Sequence, residues 1–414
     1  MSESGAPIAF LKRIPRNVWA TTVTSFLTDA SSEILHNTIP LFLVNVLGVR
    51  TAVVGTVEGV AETTASLLKI VSGWLSDRLG TRKGLAVFGY GLSTVAKPLL
   101  YFATTWGWVL GVRFAERAGK GIRTAPRDAL VADSVSDRER GIAFGLHRAG
   151  DTAGAVVGLV VALLVLLATQ RGGLTLTRGT FQVLVVASVI PAVLGVLVLA
   201  IAAREAPPAR ARDARLPRFT LAGVDRRFRT FLLIVVVFTL GNSSDAFLVL
   251  RAQNAGLSLA GIMGMLITMN VVYACVAGPA GALSDRFGRR RFLVAGWLVY
   301  AAVYLGFARA SAGWHAWALM AVYGVYYGMT EGVAKAYVAD LVPPEQRGTA
   351  YGVYHAAVGI TALPASLIAG LLWQGVGGWR GFGAGAPFLF GGALALAAAG
   401  MLAALCSPRV ERCS

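Results

Sequence analysis

Long apolar stretches recur along the whole 414-residue chain, separated by short polar segments. Each runs to roughly twenty residues or more, enough for a helix to cross a hydrocarbon core about 30 Å thick. The pattern predicts spans at 17–47, 52–76, 84–104, 106–125, 141–168, 179–203, 229–250, 258–283, 291–311, 313–339, 348–375 and 384–406. None shows the strict alternation of a lipid-facing barrel strand, so an all-α membrane protein with 12 transmembrane helices is the expectation. A mean hydropathy of +0.64, with 56% hydrophobic and 14% charged residues, argues against a soluble domain of this length.

The net charge of +17 suggests nucleic acid until its distribution is considered. Basic residues gather in alternate segments: Lys12, Arg13 and Arg16, the loops around Arg78, Arg123, Arg204–Arg229, Arg286 and Arg347, and the tail at Arg409 and Arg412. The intervening loops carry Arg50, Arg171, Arg178, Arg251, Arg309 and Arg380. This asymmetry marks cytoplasmic loops, so both termini are expected inside a bacterial cell (inner) membrane, with an even number of spans and no nucleic-acid partner. The basic loops also suit anionic headgroups of the lipid bilayer. The first apolar run has no small-residue cleavage site and continues into a full span, so a cleaved signal is not expected. Cys275, Cys406 and Cys413 have no metal spacing; free thiols are expected, with Cys275 a small packing residue.

The chain repeats itself. Gly73-Trp-Leu-Ser-Asp77-Arg78-Leu-Gly80-Thr-Arg82-Lys83 recurs as Gly281-Ala-Leu-Ser-Asp285-Arg286-Phe-Gly288-Arg-Arg290-Arg291. Val131-Ala-Asp133, Arg140-Gly141 and Gly145 recur as Val338-Ala-Asp340, Arg347-Gly348 and Gly352, and Ser31-Ser32-Glu33 as Ser243-Ser244-Asp245. The members of each pair stand roughly 210 residues apart, which predicts two six-helix halves in the same orientation. The expected division is 1–203, a basic cytoplasmic linker at 204–228 with Pro207, Pro208 and Pro217, and 229–414.

The doubled Gly-x-x-Ser-Asp-Arg-x-Gly-x-Arg-Lys loop resembles the signature of the major facilitator superfamily (MFS), and the resemblance covers essentially the whole chain. The run Gly119–Ser134 looks like a bacterial branch of it whose substrates are unknown. The resemblance implies two pseudo-symmetric six-helix bundles and a cytoplasmic gate built from Gly73, Asp77, Arg78, Gly80, Arg82 and from Gly281, Asp285, Arg286, Gly288. Physically, Gly73 and Gly281 let helices approach closely, Gly80 and Gly288 permit a tight reversal, and Asp77 and Asp285 can meet backbone N–H groups at a neighbouring helix start. The loop can act as a latch or simply anchor topology. A second ring of ion pairs, Asp133, Asp137, Arg138, Glu139 and Arg140 with Asp340, Glu345 and Arg347, competes with a plain solvated loop.

Ionisable residues inside a membrane are costly and mark function. Of the chain's 21 acids, Asp29, Glu33, Glu58, Glu62, Glu116, Asp151, Asp245 and Glu331 fall within spans, six of them in the first half. Asp29, Glu33 and His36 share one face of span 1, and Glu58, Glu62 and Lys69 one face of span 2. Three readings of the span 1 acids stay open: carriers of a coupling proton, direct binders of a cationic substrate, or groups neutralised by Lys97, Arg113 or Lys120. Asp29, Glu33 and His36 also have spacing for a divalent metal, a minor alternative to no metal at all. In span 4, Arg113 loosely matches the superfamily's coupling motif, but Arg117 replaces the glycine expected after it; a local pair with Glu116 is the simpler reading. In span 5, Arg148 and Asp151 lie one turn apart and are expected to pair, either structurally or as a gate that opens on protonation, beside Gly150, Gly154 and Gly158, a face for close helix contact, and the Gly-Pro pair of antiporters is missing. Glu331 and Lys335 are placed to pair, and Tyr323, Tyr326 and Tyr327 either contact a solute or pack.

The expected function is secondary active transport by alternating access, as proton-coupled export of a small organic compound, drug-like or metabolite. Metabolite uptake and divalent-cation export are alternatives, and a non-transporting scaffold or receptor is the rival from another class. The partners expected are a small molecule or ion and protons; the protein is expected to be a monomer without a cofactor. No nucleotide-binding loop is present, and none of the four histidines shows a nucleophile–base arrangement in the sequence, so an enzyme is not expected.

Overall fold

The computed structural model describes residues 14–136, 139–170, 173–205, 225–343 and 346–404. Lys12, Arg13, Asp137, Arg138, Arg171, the prolines of the linker, Glu345, Cys406, Cys413 and the basic tail lie outside the described residues. The helices of the first half are α1 (Arg16–His36), α2 (Ile39–Asn45), α3 (Thr51–Leu79), α4 (Lys83–Ala96), α5 (Trp106–Asp133), α6 (Arg140–Thr169) and α7 (Arg178–Ala202), with a 3-10 helix at Lys97–Phe102. Those of the second are α8 (Arg226–Gly241), α9 (Ala246–Asn254), α10 (Leu259–Phe287), α11 (Arg289–Arg309), α12 (Gly313–Asp340), α13 (Arg347–Gln374) and α14 (Ala386–Ala404). Together they form the twelve expected crossings, with no strand among the described residues.

Three crossings are built in two pieces, which hydropathy alone did not reveal. Between α1 and α2, Pro40 stands in the first turn of α2, where its missing N–H leaves no bond unmade. Thr38 Oγ1 donates back to the carbonyls of Ile34 and Leu35. The same break recurs in the repeat, between α8 and α9. There Tyr300 donates to the carbonyl of Gly241 and to Asn242, and the Ser244 N–H donates to Ser366. Backbone freed inside a membrane must find such partners within the protein. The third break falls at Lys97, where Pro98 ends α4 and the chain tightens into 3-10 geometry.

Eight crossings are long and apolar enough for a membrane by length and composition alone. The exceptions are α1–α2, α3, α5 and α12, which hold most of the intramembrane acids and the tyrosine run. Helix α5 also continues past the expected end at 125, through Pro126 to Asp133.

The residues group into two compact units, 1–218 with 258–267, and 219–257 with 268–414. In the first, α1 lies against α6 and α7, while α3 and α4 lie against α5. Glycines set these approaches. A Cβ at Gly154 or Gly158 would stand 2.2 or 2.3 Å from the carbonyl oxygen of Phe26 or Ala30 on α1, so the expected small-residue face of α6 is a backbone contact. In the second unit, α11 packs on α12 and α14, and α8 on α13 and α14. The expected close approach at Gly281 is absent: a Cβ there meets nothing within 4 Å, whereas one at Gly73 meets Ala125 at 3.3 Å. Cys275 is exposed rather than packed, because its face of α10 is not covered.

The repeated loop closes alike in both units. Gly80 and Gly288 have φ of 63° and 92°, the positive values that the reversals need. Arg82 reaches Asp77 at 2.6 Å and Asp133 at 3.3 Å. Arg289 reaches Asp285 at 2.9 Å and Asp340 at 2.6 Å. The sequence repeat sets Arg82 against Arg290, but Arg289 takes its role, because α11 starts directly after Gly288 whereas α4 starts two residues later in its loop. Asp77 and Asp285 thus bind arginines and not a helix start. The helix start of α4 is met by Glu205, whose carboxylate accepts from the backbone N–H groups of Arg82 and Lys83 at 2.6 and 3.1 Å. The expected second ring is not separate, since Asp133 and Asp340 belong to these clusters. Arg78, exposed, stacks over Trp74, and Arg286 is exposed.

Candidate functional site

Within the first unit, α1, α3 and α5 enclose a cavity of about 200 Å³. Its lining is unusually rich in charge: Asp29, Glu33 and His36 from α1, Glu62 from α3, and Arg113, Glu116, Arg117, Lys120 and Arg123 from α5, with Ser32. On α5 these charges recur every three or four residues, so one helical face carries them all. Close approach of α5 to its neighbours is set by Gly119 against Gly89 and Gly121 against Ala65.

The deepest layer is an ion-pair network. Arg113, 1% exposed, donates to Glu58 at 2.9 Å and to Glu116 at 2.8 Å; Glu58 has no exposure. Arg117 pairs with Glu62 at 2.8 Å. The local Arg113–Glu116 pair read from the sequence is present, but Glu58 from another helix is the more buried partner. Both Arg113 and Arg117 also approach His36 Nδ1 at 3.2 Å. Two donors on one ring nitrogen require it to be the acceptor, so the imidazole is neutral with its proton on Nε2. Two guanidiniums in that place oppose a cation at His36. Among the described residues no group of three or more His, Cys, Asp or Glu side chains is arranged to hold a metal, so Asp29, Glu33 and His36 do not form the site their spacing allowed.

Among the described residues, neither Lys97, Arg113 nor Lys120 forms an ion pair with Asp29 or Glu33. Buried Lys97 donates to Ser31 at 2.5 Å and Ser32 at 3.1 Å. Arg113 is committed to Glu58 and Glu116. Lys120 stands exposed at the cavity edge, with no carboxylate within salt-bridge reach among the described residues. Glu33 accepts from Asn37 at 2.9 Å, and neither it nor Asp29 has an ion pair there. Arg123 lies over the Tyr90 ring at 4.3 Å and donates to Ser93.

A second polar chain, missed in the sequence, runs between α1 and α6. Ser25 Oγ lies 3.0 Å from His147 Nε2, and His147 Nδ1 lies 3.5 Å from Asp151. A serine, a histidine and an aspartate in this order are the parts of a hydrolytic triad. Here, however, Ser25 is 1% exposed and already meets Arg127 at 3.0 Å and Tyr90 at 3.2 Å, so no substrate carbonyl can reach it. What the chain can do is relay a proton along hydrogen bonds. The i, i+4 spacing of His147 and Asp151 was the one local signal; Ser25 lies 122 residues away. Arg148 is exposed and does not line the cavity.

In the second unit, Asp245 accepts from Tyr323 at 2.9 Å and Tyr327 at 3.3 Å, beside stacked Tyr300 and Tyr304. Tyr326 packs against Tyr300 and Tyr323. Glu331 accepts from Tyr273 at 2.7 Å and lies 3.5 Å from Lys335, as the spacing predicted.

Twelve crossings in two related six-helix bundles, with ionisable groups inside both, define a multi-pass membrane transporter fold. The sequence matches the Major Facilitator Superfamily over 21–271 and 230–412. It is 36% identical over 370 residues to an uncharacterized MFS-type transporter of Methanocaldococcus jannaschii, covering 88% of this chain and 90% of the relative. A crystal structure of a mutant nucleoside transporter NupG superposes with a TM-score of 0.78 at 12% identity, over 94% of this chain and 100% of that one. A D-xylose-proton symporter superposes with a TM-score of 0.76 at 16% identity, over 95% and 98%. The chain belongs to the major facilitator superfamily and has its transporter fold.

Proposed function

We propose that the protein is a secondary active transporter that works by alternating access and couples export of a small organic compound to protons. The observation that carries this reading is the cavity in the first unit, which Asp29 and Glu33 line without an ion pair among the described residues. Carboxyl groups so placed can exchange a proton or a solute; ones locked in ion pairs, such as Glu58, cannot do so without breaking them. The relay Asp151–His147–Ser25 offers a hydrogen-bonded route for a proton beside them. In this reading Asp29 and Glu33 are the coupling acids, Glu62 and Arg113 line the cavity with Glu58 behind Arg113, Asp151 belongs to the relay with Arg148 one turn before it on the same helix, and Asp245 and Glu331 are the polar sites of the second half. The loops at Gly73–Arg82 and Gly281–Gly288 serve as the cytoplasmic gate. The halves are 1–203 and 229–414 joined by a cytoplasmic linker, and the protein is a monomer with both termini inside the inner membrane.

The test is transport into everted membrane vesicles carrying an established pH gradient. Addition of a substrate collapses the gradient in vesicles with the wild-type protein and fails to do so with Asp29→Asn or Glu33→Gln. Exchange that proceeds unchanged in both variants overturns the coupling role of these acids. A complete absence of solute counterflow favours a scaffold or receptor.

A further inference from the structure

Charges in the cavity that are not used up within the protein fall on two walls. On α1 stand Asp29 and Glu33, both half-buried and lining the cavity, with Glu33 accepting from the amide of Asn37. On α5 stand Lys120, exposed at the edge, and Arg123, 5% exposed and held by Ser93 and Tyr90 but by no carboxylate among the described residues. The remaining charges that line the cavity are held in ion pairs, Arg117 with Glu62, and Arg113 with Glu116 and with Glu58 behind it. Two negative groups thus face two positive ones across an accessible space. Arg113 and Arg117 each also keep a buried Nε–H without an acceptor, so the basic wall has donor capacity to spare.

We propose that this cavity takes a small zwitterion, its cationic end against Asp29 and Glu33 and its anionic end against Lys120 and Arg123. A solute with one charge satisfies one wall and removes water from the other, leaving two like charges desolvated without compensation. An apolar solute does so on both walls. Only a dipolar solute matches a lining that is neutral in sum and divided in space. The volume narrows the class further. The cavity measures about 200 Å³. Pockets for drug-sized ligands occupy about 300–1,000 Å³. The solute is therefore of small aminocarboxylate size, a metabolite rather than a drug-like amphiphile.

This inference rests on the cavity being a solute site, as the transport reading holds, and its test separates the two. Purified protein in nanodiscs is titrated calorimetrically with β-alanine, 4-aminobutyrate and glycine betaine. Each is paired with analogues that keep the skeleton and lose one charge, such as butyrate and butylamine for 4-aminobutyrate. At least one zwitterion binds tenfold or more tighter than both of its singly charged analogues. Asp29→Asn and Lys120→Gln each weaken that binding at least tenfold; should either variant fail to fold, the analogue comparison on the wild-type protein decides alone. No binding by any zwitterion, or equal binding by a singly charged analogue, overturns the proposal. The same protein in liposomes with a pH-sensitive dye distinguishes the readings. Zwitterion binding without proton movement removes the proton-coupled reading and leaves this one. Proton movement evoked by a singly charged solute, without zwitterion binding, does the reverse.

Discussion

The two halves share a sequence repeat and a loop geometry, yet they fill the middle of the membrane with different chemistry. On α5 of the first half, Arg113, Glu116, Arg117 and Lys120 carry full charge. At the corresponding positions of α12 stand Met320, Tyr323, Gly324 and Tyr327. Where Glu116 bonds to Arg113, Tyr323 donates to Asp245. The first half therefore meets its most buried carboxylates with arginines, and the second with phenol hydroxyls on Asp245 and Glu331, the latter also beside Lys335. The lesson is that one helical scaffold tolerates either solution, provided each buried polar group finds a partner. The repeated Gly73–Lys83 and Gly281–Arg291 loops did not diverge in this way, because the same arginine–aspartate cluster closes both.

This contrast can be broken most sharply at its deepest ion pair. Glu58→Leu leaves Arg113 with one carboxylate in place of two, and removing one partner of a buried pair costs about 3–5 kcal/mol. The expected result is a large fall in the thermal unfolding midpoint in detergent. Adding Arg113→Met together with Glu116→Gln recovers most of it, since no buried charge is then left without its partner; a triple variant as unstable as the single one contradicts the account. A smaller effect is expected in the second half. Tyr323→Phe removes one hydrogen bond to Asp245 and costs about 1.5–3 kcal/mol, with Tyr327 still in place. A loss as large as that of Glu58→Leu in the same unfolding measurement erases the distinction between the halves. The third comparison concerns backbone contact. Gly154→Ala drives a Cβ into the Phe26 carbonyl, and such overpacking costs about 1–3 kcal/mol. Thr361, its counterpart on α13, already carries a side chain, so Thr361→Ala changes the midpoint by less. Equal shifts in the two variants remove the claim that the glycine face is special to the first half.

Much of the fold was legible in the residues. Spans show because twenty apolar residues in a row have few other uses, and the halves show because Gly73–Lys83 and Gly281–Arg291 are near copies. The breaks at Asn37–Thr38 and Asn242–Asp245 were hidden, since Pro40 and a short polar run do not lower the hydropathy of their windows enough to divide a span. In the site, the presence of charge could be read but not its pairing. Arg113–Glu116 and Glu331–Lys335 were visible because three or four residues along a helix bring side chains together. Arg113–Glu58, Ser25–His147 and Glu205 at the start of α4 were not, for they lie far apart along the chain.

By itself the sequence determined that this chain spans a membrane twelve times, that it is a doubled transporter fold, and that acids lie where lipid does not admit them. Those are properties of composition, length and local spacing. Only the tertiary structure decided which acids are spent on arginines and which, Asp29 and Glu33, are left to face a cavity. That choice depends on how α1, α3 and α5 are rotated against each other, and the rotation is set by contacts such as Gly119 on Gly89 and Gly154 on Phe26, between residues that no local pattern connects.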